Sequence, residues 1–186
     1  TDAKLDERGV SGQLRTDIQT FRAEARFLRA LSYWHGVDMY GPIPLVTEPS
    51  GTPPDQATRQ QVFDFIVSEL NAIIPDLPAA AGQATYARAT QEAAHMLLAH
   101  VYLNGEVYTG TGYYTEAANE AAAVINSGKF SLNPVFQNNF TADNHLSPEI
   151  IFPLVSDGLY SRGYGGTTFL THAACVGGAN PWSQDP

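Results

Sequence analysis

One segment constrains the fold more than any other. It is DIQTFRAEARFLRALSYWHGVDM, residues 17–39, which runs almost directly into Gly-Pro-Ile-Pro. Two apolar stripes at three-to-four spacing lie along it. Phe21, Ala25, Leu28 and Leu31 form one, and Ala23, Phe27, Ala30, Trp34 and Val37 the other. That is the period of an α-helix, and two stripes predict a helix with neighbours on several sides. The polar remainder is a narrow line of Arg22, Arg26 and Arg29. Three cations on one face could hold an anionic ligand. The preferred reading pairs them with carboxylates of a neighbouring helix, because a half-buried cation without a partner is costly. Gly41 is placed to cap the helix, Pro42 forbids its continuation, and Pro44 keeps GPIPLVTEP extended.

Most of the chain from Thr58 to Lys129 is also helical in pattern. Residues 1–16 are polar, contain Gly9 and Gly12, and read as a loop. TPPDQAT is a Pro-rich connector. Thr58 followed by Gln61 is a capping-box signature, and the helix it opens carries Val62, Phe63, Ile66, Val67, Leu70, Ile73 and Ile74 before Pro75 and Pro78 end it. A third helix is expected from Thr90 to Leu103, with Ala94, Leu97, Leu98 and Val101 on one side and Gly105 as its stop. A fourth is expected to be capped by Thr115, to bury Ala118, Ala121, Ala122 and Ile125, and to stop at Gly128. These last two span about one tetratricopeptide unit, with Ala94, Ala99, Tyr102, Ala118 and Ala122 as close-packing positions, although the usual opening Trp and Leu-Gly are absent. Stacked pairs of this kind bury each other's second face. The fold class is therefore all-α, tetratricopeptide-like stacked helix pairs over 17–129. A loop-rich segment over 130–186, with short strands possible, completes a single domain or part of one.

Composition removes several functions. Ten Lys and Arg against nineteen Asp and Glu give a net charge of −9. Such a surface repels phosphate backbones and anionic lipid, so no nucleic-acid partner is expected. The single cysteine, Cys175, cannot form an internal disulfide. No apolar run reaches transmembrane length. The sequence begins at Thr1 without a leader pattern and ends in GGANPWSQDP with no closing element, so both ends are expected to be truncations.

Motifs for catalysis are missing: there is no Walker sequence, no G-x-S-x-G and no Rossmann glycine pattern in a strand-to-helix context. His95 and His100 are five residues apart, hence on different helix faces, and read as structural rather than as metal ligands. Cys175 follows His172 by three residues but lacks the further groups a thiol nucleophile requires. Asp157-Gly158 is a turn without calcium-loop spacing. No catalytic residue, cofactor or metal is expected. Aromatics are more informative. Tyr108, Tyr113, Tyr114, Tyr160, Tyr164 and Trp182 fall in expected loops or at helix edges. Rings with a polar tip suit surfaces that are apolar and wet at once, as a sugar is. Trp182 beside Asn180, in a Gly-rich stretch, is the best single candidate; packing in a satellite core is the competing reading.

Taken in order, these segments resemble a known family. AEARFLRALSYWHGVDMYGPIPLVTEP resembles the signature helix and stop of the SusD-like (SusD/RagB) nutrient-binding proteins. TRQQVFDFIVSELNAIIPDLP is similar to the family's next helix, and YARATQEAAHMLLAHVYLNGEVYTGTGYYTEAANEAAAVINSGKFSL to its helical pair. SPEIIF resembles its N-x-E-[IV]-I-F element, with Ser147-Pro148 for the usual Asn-Ser. The resemblance implies a tetratricopeptide-like lipoprotein, surface-exposed on the cell outer membrane. It would be a non-enzymatic protein that captures oligosaccharide, starch-like chains included, or another nutrient for a SusC-like TonB-dependent transporter. YGGTTFLTHAACVGGANPW is similar to the loop region of starch-binding members, which implies Trp182, Asn180 and Tyr164 as ligand-binding residues. Family members are much longer, and Cys175 is misplaced for a lipid anchor. From the helix pairs alone, the alternative is a tetratricopeptide-like scaffold for a protein or peptide.

Overall fold

The computed structural model describes residues 2–48, 54–141 and 143–155. Trp182, Asn180 and Tyr164 lie outside the described residues, as do Cys175, His172, Tyr160 and Asp157. Chain contacts divide the protein after Phe152, and the architecture described here is that of the first unit, Thr1–Phe152.

That unit is all-α. Helix α1 spans Asp2–Glu7 and α2 spans Gly12–Tyr40. Strands β1 (Ile43–Pro44) and β2 (Gln56–Ala57) pair antiparallel, with Ile43 opposite Ala57. Helix α3 covers Arg59–Ile73, α4 Gln91–Leu103, α5 Gly105–Thr109 and α6 Tyr114–Asn126. Short 3-10 turns follow at Phe136–Phe140 and Asn144–Leu146. Helix α2 packs along α3, and α4 along α6, while α4 and α5 also touch α3. This is the tetratricopeptide-like stack that the spacing predicts.

Helix boundaries follow local chemistry. The backbone N–H of Gln61 donates to Thr58 Oγ1 at 3.2 Å, and the N–H of Thr58 donates to Gln61 Oε1 at 2.8 Å, completing the capping box. Thr90 Oγ1 accepts from the N–H of Ala93 at 3.2 Å at the start of α4. Gly41 (φ 77°) and Gly128 (φ 64°) sit just past the ends of α2 and α6, where a β-carbon would be strained.

The core is built from Phe27, Ile66, Leu70, Ile73, Leu98 and Val101, all nearly or wholly buried. Of the two stripes on α2, one is core: Ala23, Phe27, Ala30 and Val37 are at most 2% exposed. The other is not. Phe21 is 58% and Leu28 47% exposed, so α2 is covered on fewer sides than its sequence predicts.

Four further expectations are corrected. Residues 2–16 are not one loop. They hold α1, a short turn and the start of α2, and Arg22 ties α1 down through Asp2 at 2.9 Å. Gly105 does not stop a helix but opens α5, because it is chosen for space. A β-carbon there would stand 2.5 Å from Tyr113 Cδ2. Thr115 is inside α6 rather than its cap, and α6 buries Ala117 and Val124 while Ala118 and Ile125 face solvent. Among the described residues of 130–155 there is no strand; FQNNF and NHL form 3-10 turns.

Candidate functional site

The arginine line of α2 is a clamp, not a ligand site. Arg26 Nη2 donates to Glu69 Oε2 at 2.7 Å, and Arg29 Nη2 donates to Glu69 Oε1. Glu69 lies on α3 with its side chain only 7% exposed, while the two arginines keep about a third of theirs (34% and 35%) in solvent. Burial pushes the Glu69 carboxyl up, but the bonds from Arg26 and Arg29 outweigh it and hold the pKa below the usual carboxylate value. The same contact raises Arg26, and Arg29 lies over the ring of Phe65 at 5.5 Å. Arg22 is spent on Asp2.

The polar cluster further along α2 is also structural. Tyr108 is buried and donates to Asp38 Oδ1 at 2.7 Å. Burial, with the Asp38 carboxylate beside it, pushes the phenol up to about 12. Tyr113 stacks near Phe63, with ring centroids 5.0 Å apart. So two of the six aromatics expected in loops or at helix edges pack in or against the helical core. Tyr114 remains 57% exposed and bonds to Glu106. His95 contacts Glu120 at 2.6 Å, whereas the His100 ring lies 5.7 Å from that of Trp34, which separates the two histidines as their spacing predicts.

Two open clefts adjoin this core. One, of about 410 Å³, is lined by Phe27, Leu31, Trp34, Leu97, Ile151 and Phe152 among others. The second, of about 500 Å³, is lined by Val124, Ile125, Phe130, Leu132 and Ile151 among others. Both are chiefly apolar. Glu149, which borders both, is occupied by the N–H of Asn133 (2.6 Å) and by Asn139 Nδ2 (2.7 Å). Such walls suit hydrocarbon far better than a ring of hydroxyls.

A feature the sequence reading passed over is the pair Phe136 and Phe140. They are 67% and 72% exposed, with ring centroids 5.1 Å apart. The available signal was FQNNF itself, two Phe four residues apart with no apolar partner between them.

Helix pairs of this kind, with irregular segments appended, define a class of helical binding scaffold. Comparisons with known proteins make the class specific. Residues 4–103 match the model of the SusD-like_3 family, described as "Starch-binding associating with outer membrane". The starch-binding protein SusD of Bacteroides thetaiotaomicron is 37% identical over 180 residues, covering 90% of this chain and 32% of that protein. A laminarin-binding SusD-like protein superposes with a TM-score of 0.68 at 26% identity, over 77% of this chain and 32% of that one. A SusD-like protein from Bacteroides fragilis gives 0.66 at 25% identity, over 86% and 32%. The chain belongs to the SusD-like family. It spans about a third of the length of these relatives.

Proposed function

We propose that this protein is a non-enzymatic glycan-binding subunit of an outer-membrane uptake complex. It captures oligosaccharide, with starch-like chains as the leading candidate, and passes it to a SusC-like TonB-dependent transporter as a surface-exposed lipoprotein. Residues 17–129 serve as scaffold and 130–186 supply the ligand contacts. Trp182 offers a ring face to the C–H side of a sugar, while Asn180 and Tyr164 hydrogen-bond its hydroxyls. Family membership is the observation that carries this reading, through the 37% identity to a starch-binding relative. The described helices add support in a second way. Two buried carboxylates of the helices are taken by protein groups, Glu69 by two arginines and Glu92 by the N–H of Ala80 at 2.8 Å, so neither is open to a ligand.

Native gels cast with starch, laminarin, xylan or levan test the proposal. Retarded migration in at least one, abolished by Trp182→Ala, is the expected result. Unretarded migration of the intact protein in all four rejects it.

A second reading, a scaffold for a protein or peptide, is favoured by the two apolar clefts beside Phe27 and Ile125. A pull-down that recovers a peptide ligand, together with no glycan retardation, would select it.

A further inference from the structure

Resting on the glycan-binding reading, we propose a second contact site for neutral sugar rings, built from residues other than Trp182, Asn180 and Tyr164. It consists of Phe136, Phe140 and the polar cavity lined by Asn133, Asn138, Thr141 and Asp143.

Four observations lead there. Phe136 and Phe140 are paired with each other but stand outside the hydrophobic core, and both rings are mostly in water. Two adjacent exposed phenyl groups form a small apolar patch that a ligand ring can cover. Next, the same segment forms a cavity of about 460 Å³, lined also by Leu146 and Ser147. Its size falls in the range of roughly 300–1,000 Å³ typical of small-molecule sites. Its walls also differ from those of the two clefts described above. They present amides, hydroxyls and one carboxylate, which suits a hydroxylated ligand rather than an apolar segment of protein. Asp143 enters no ion pair among the described residues, and no basic side chain lines the cavity, which disfavours an anionic ligand.

Finally, the segment is braced from behind. Glu149 holds the N–H of Asn133 and the amide of Asn139, and Asn139 in turn accepts from Ser147. Gln83 Nε2 donates to the carbonyl of His145 at 2.8 Å, and Tyr86 packs edge-on to the His145 ring. Asn133 Oδ1 accepts from the N–H of Val135 at 3.1 Å and from Asn138 Nδ2 at 3.4 Å. The Asn138 backbone carbonyl accepts from Thr141 Oγ1 at 3.1 Å. That leaves the NH₂ of Asn133 and the side-chain Oδ1 of Asn138 without protein partners among the described residues. One is a donor and one an acceptor, the combination that adjacent sugar hydroxyls satisfy. Loops fixed before binding lose little entropy when a ligand arrives. Exposed aromatic faces and partner-free amides carried on one braced segment supply contacts for C–H faces and for hydroxyl edges.

The test titrates the intact, isotope-labelled protein with maltoheptaose and with laminarihexaose, following aromatic and side-chain amide NMR signals. Shifts at the rings of Phe136 and Phe140 and at the amides of Asn133 and Asn138 are expected with at least one probe. Phe136→Ala/Phe140→Ala should weaken that binding by about tenfold or more, since covering even one ring fully is worth at least that factor. Asn138→Ala should weaken it too, and the thermal midpoint should stay unchanged in both variants. Probe binding that leaves these signals and both variants unaffected overturns this second site and leaves the glycan reading standing. A markedly lowered thermal midpoint in the double variant also overturns it, because the rings are then packed against protein. Binding of neither probe, with no glycan retardation in the gels, removes both.

Discussion

Removing the Glu69 carboxylate should be among the most damaging single changes away from the apolar core. Glu69→Ala leaves two guanidinium groups of α2 facing α3 with no anion between them. Breaking a buried ion pair by deleting one partner costs about 3–5 kcal/mol when both partners are buried. Here only Glu69 is buried, and each arginine keeps about a third of its side chain in water, at 34% and 35%. Solvent then takes up part of the loss, and we place the cost at about 2–3 kcal/mol. For a chain of this size that corresponds to a fall of roughly 4–12 °C in Tm. Glu69→Gln, which keeps shape and one acceptor, should cost about half as much. The pH dependence has a fixed sign. The folded pKa of Glu69 lies below its unfolded value, so its contribution is complete above the unfolded pKa and is lost as pH falls through the folded one. Urea unfolding followed by helical circular dichroism, at pH 7 and across the acid range, measures both effects. Glu69→Ala within about 0.5 kcal/mol of the parent, the range of ordinary surface changes, would refute the clamp. So would an acid profile for Glu69→Gln identical to that of the parent.

Three smaller predictions test the scaffold. Thr58→Ala removes the side-chain half of the capping box of α3 and should cost about 1 kcal/mol in urea unfolding. Gly105→Ala drives a methyl group into the Tyr113 ring and should cost about 1–3 kcal/mol, while Gly9→Ala, where no atom lies within 4 Å, suffers only its positive φ. Tyr108, whose pKa is raised to about 12, stabilises the fold below the unfolded phenol value of about 10, and that contribution is lost as pH rises through the folded value. Ultraviolet titration should therefore find one fewer late-ionising tyrosine in Tyr108→Phe than in the parent.

The scaffold was legible because its signals are local. The Phe27–Ala30–Val37 stripe, the Thr58–Gln61 box and the Pro75 stop each act within a turn or two of helix. Even the pairing of Arg26 and Arg29 could be anticipated from the cost of unpaired cations, although nothing local pointed to Glu69, 43 and 40 residues away. Errors arose where a residue type serves two purposes. A glycine closes a helix through positive φ at Gly128 but makes room for Tyr113 at Gly105. Apolar spacing on α2 and α6 could not say which stripe meets a neighbour, so Phe21 and Leu28 emerged exposed and α6 turned by one residue toward Ala117 and Val124. Short α1 went unseen because it has no apolar stripe and is held by ion pairs to α2, Asp2 with Arg22 and Asp6 with Arg15. The candidate site divides the same way. An aromatic proposed to face a sugar has no period, so Trp182 was singled out by loop composition and by the resemblance of YGGTTFLTHAACVGGANPW to starch-binding members. Phe136 and Phe140 passed as loop filler until their exposure was known.

The glycan-binding claim can be tested most directly by tryptophan fluorescence, since the chain has only two tryptophans, Trp34 and Trp182. Trp34 sits on α2 beside the core, with the rings of His35 and His100 4.7 and 5.7 Å from its own. Titrating the intact protein with maltoheptaose should give a saturable change in emission that persists in Trp34→Phe and vanishes in Trp182→Phe. A flat titration for a well-folded protein, or a change that survives the loss of Trp182, would contradict a ligand surface centred on that residue.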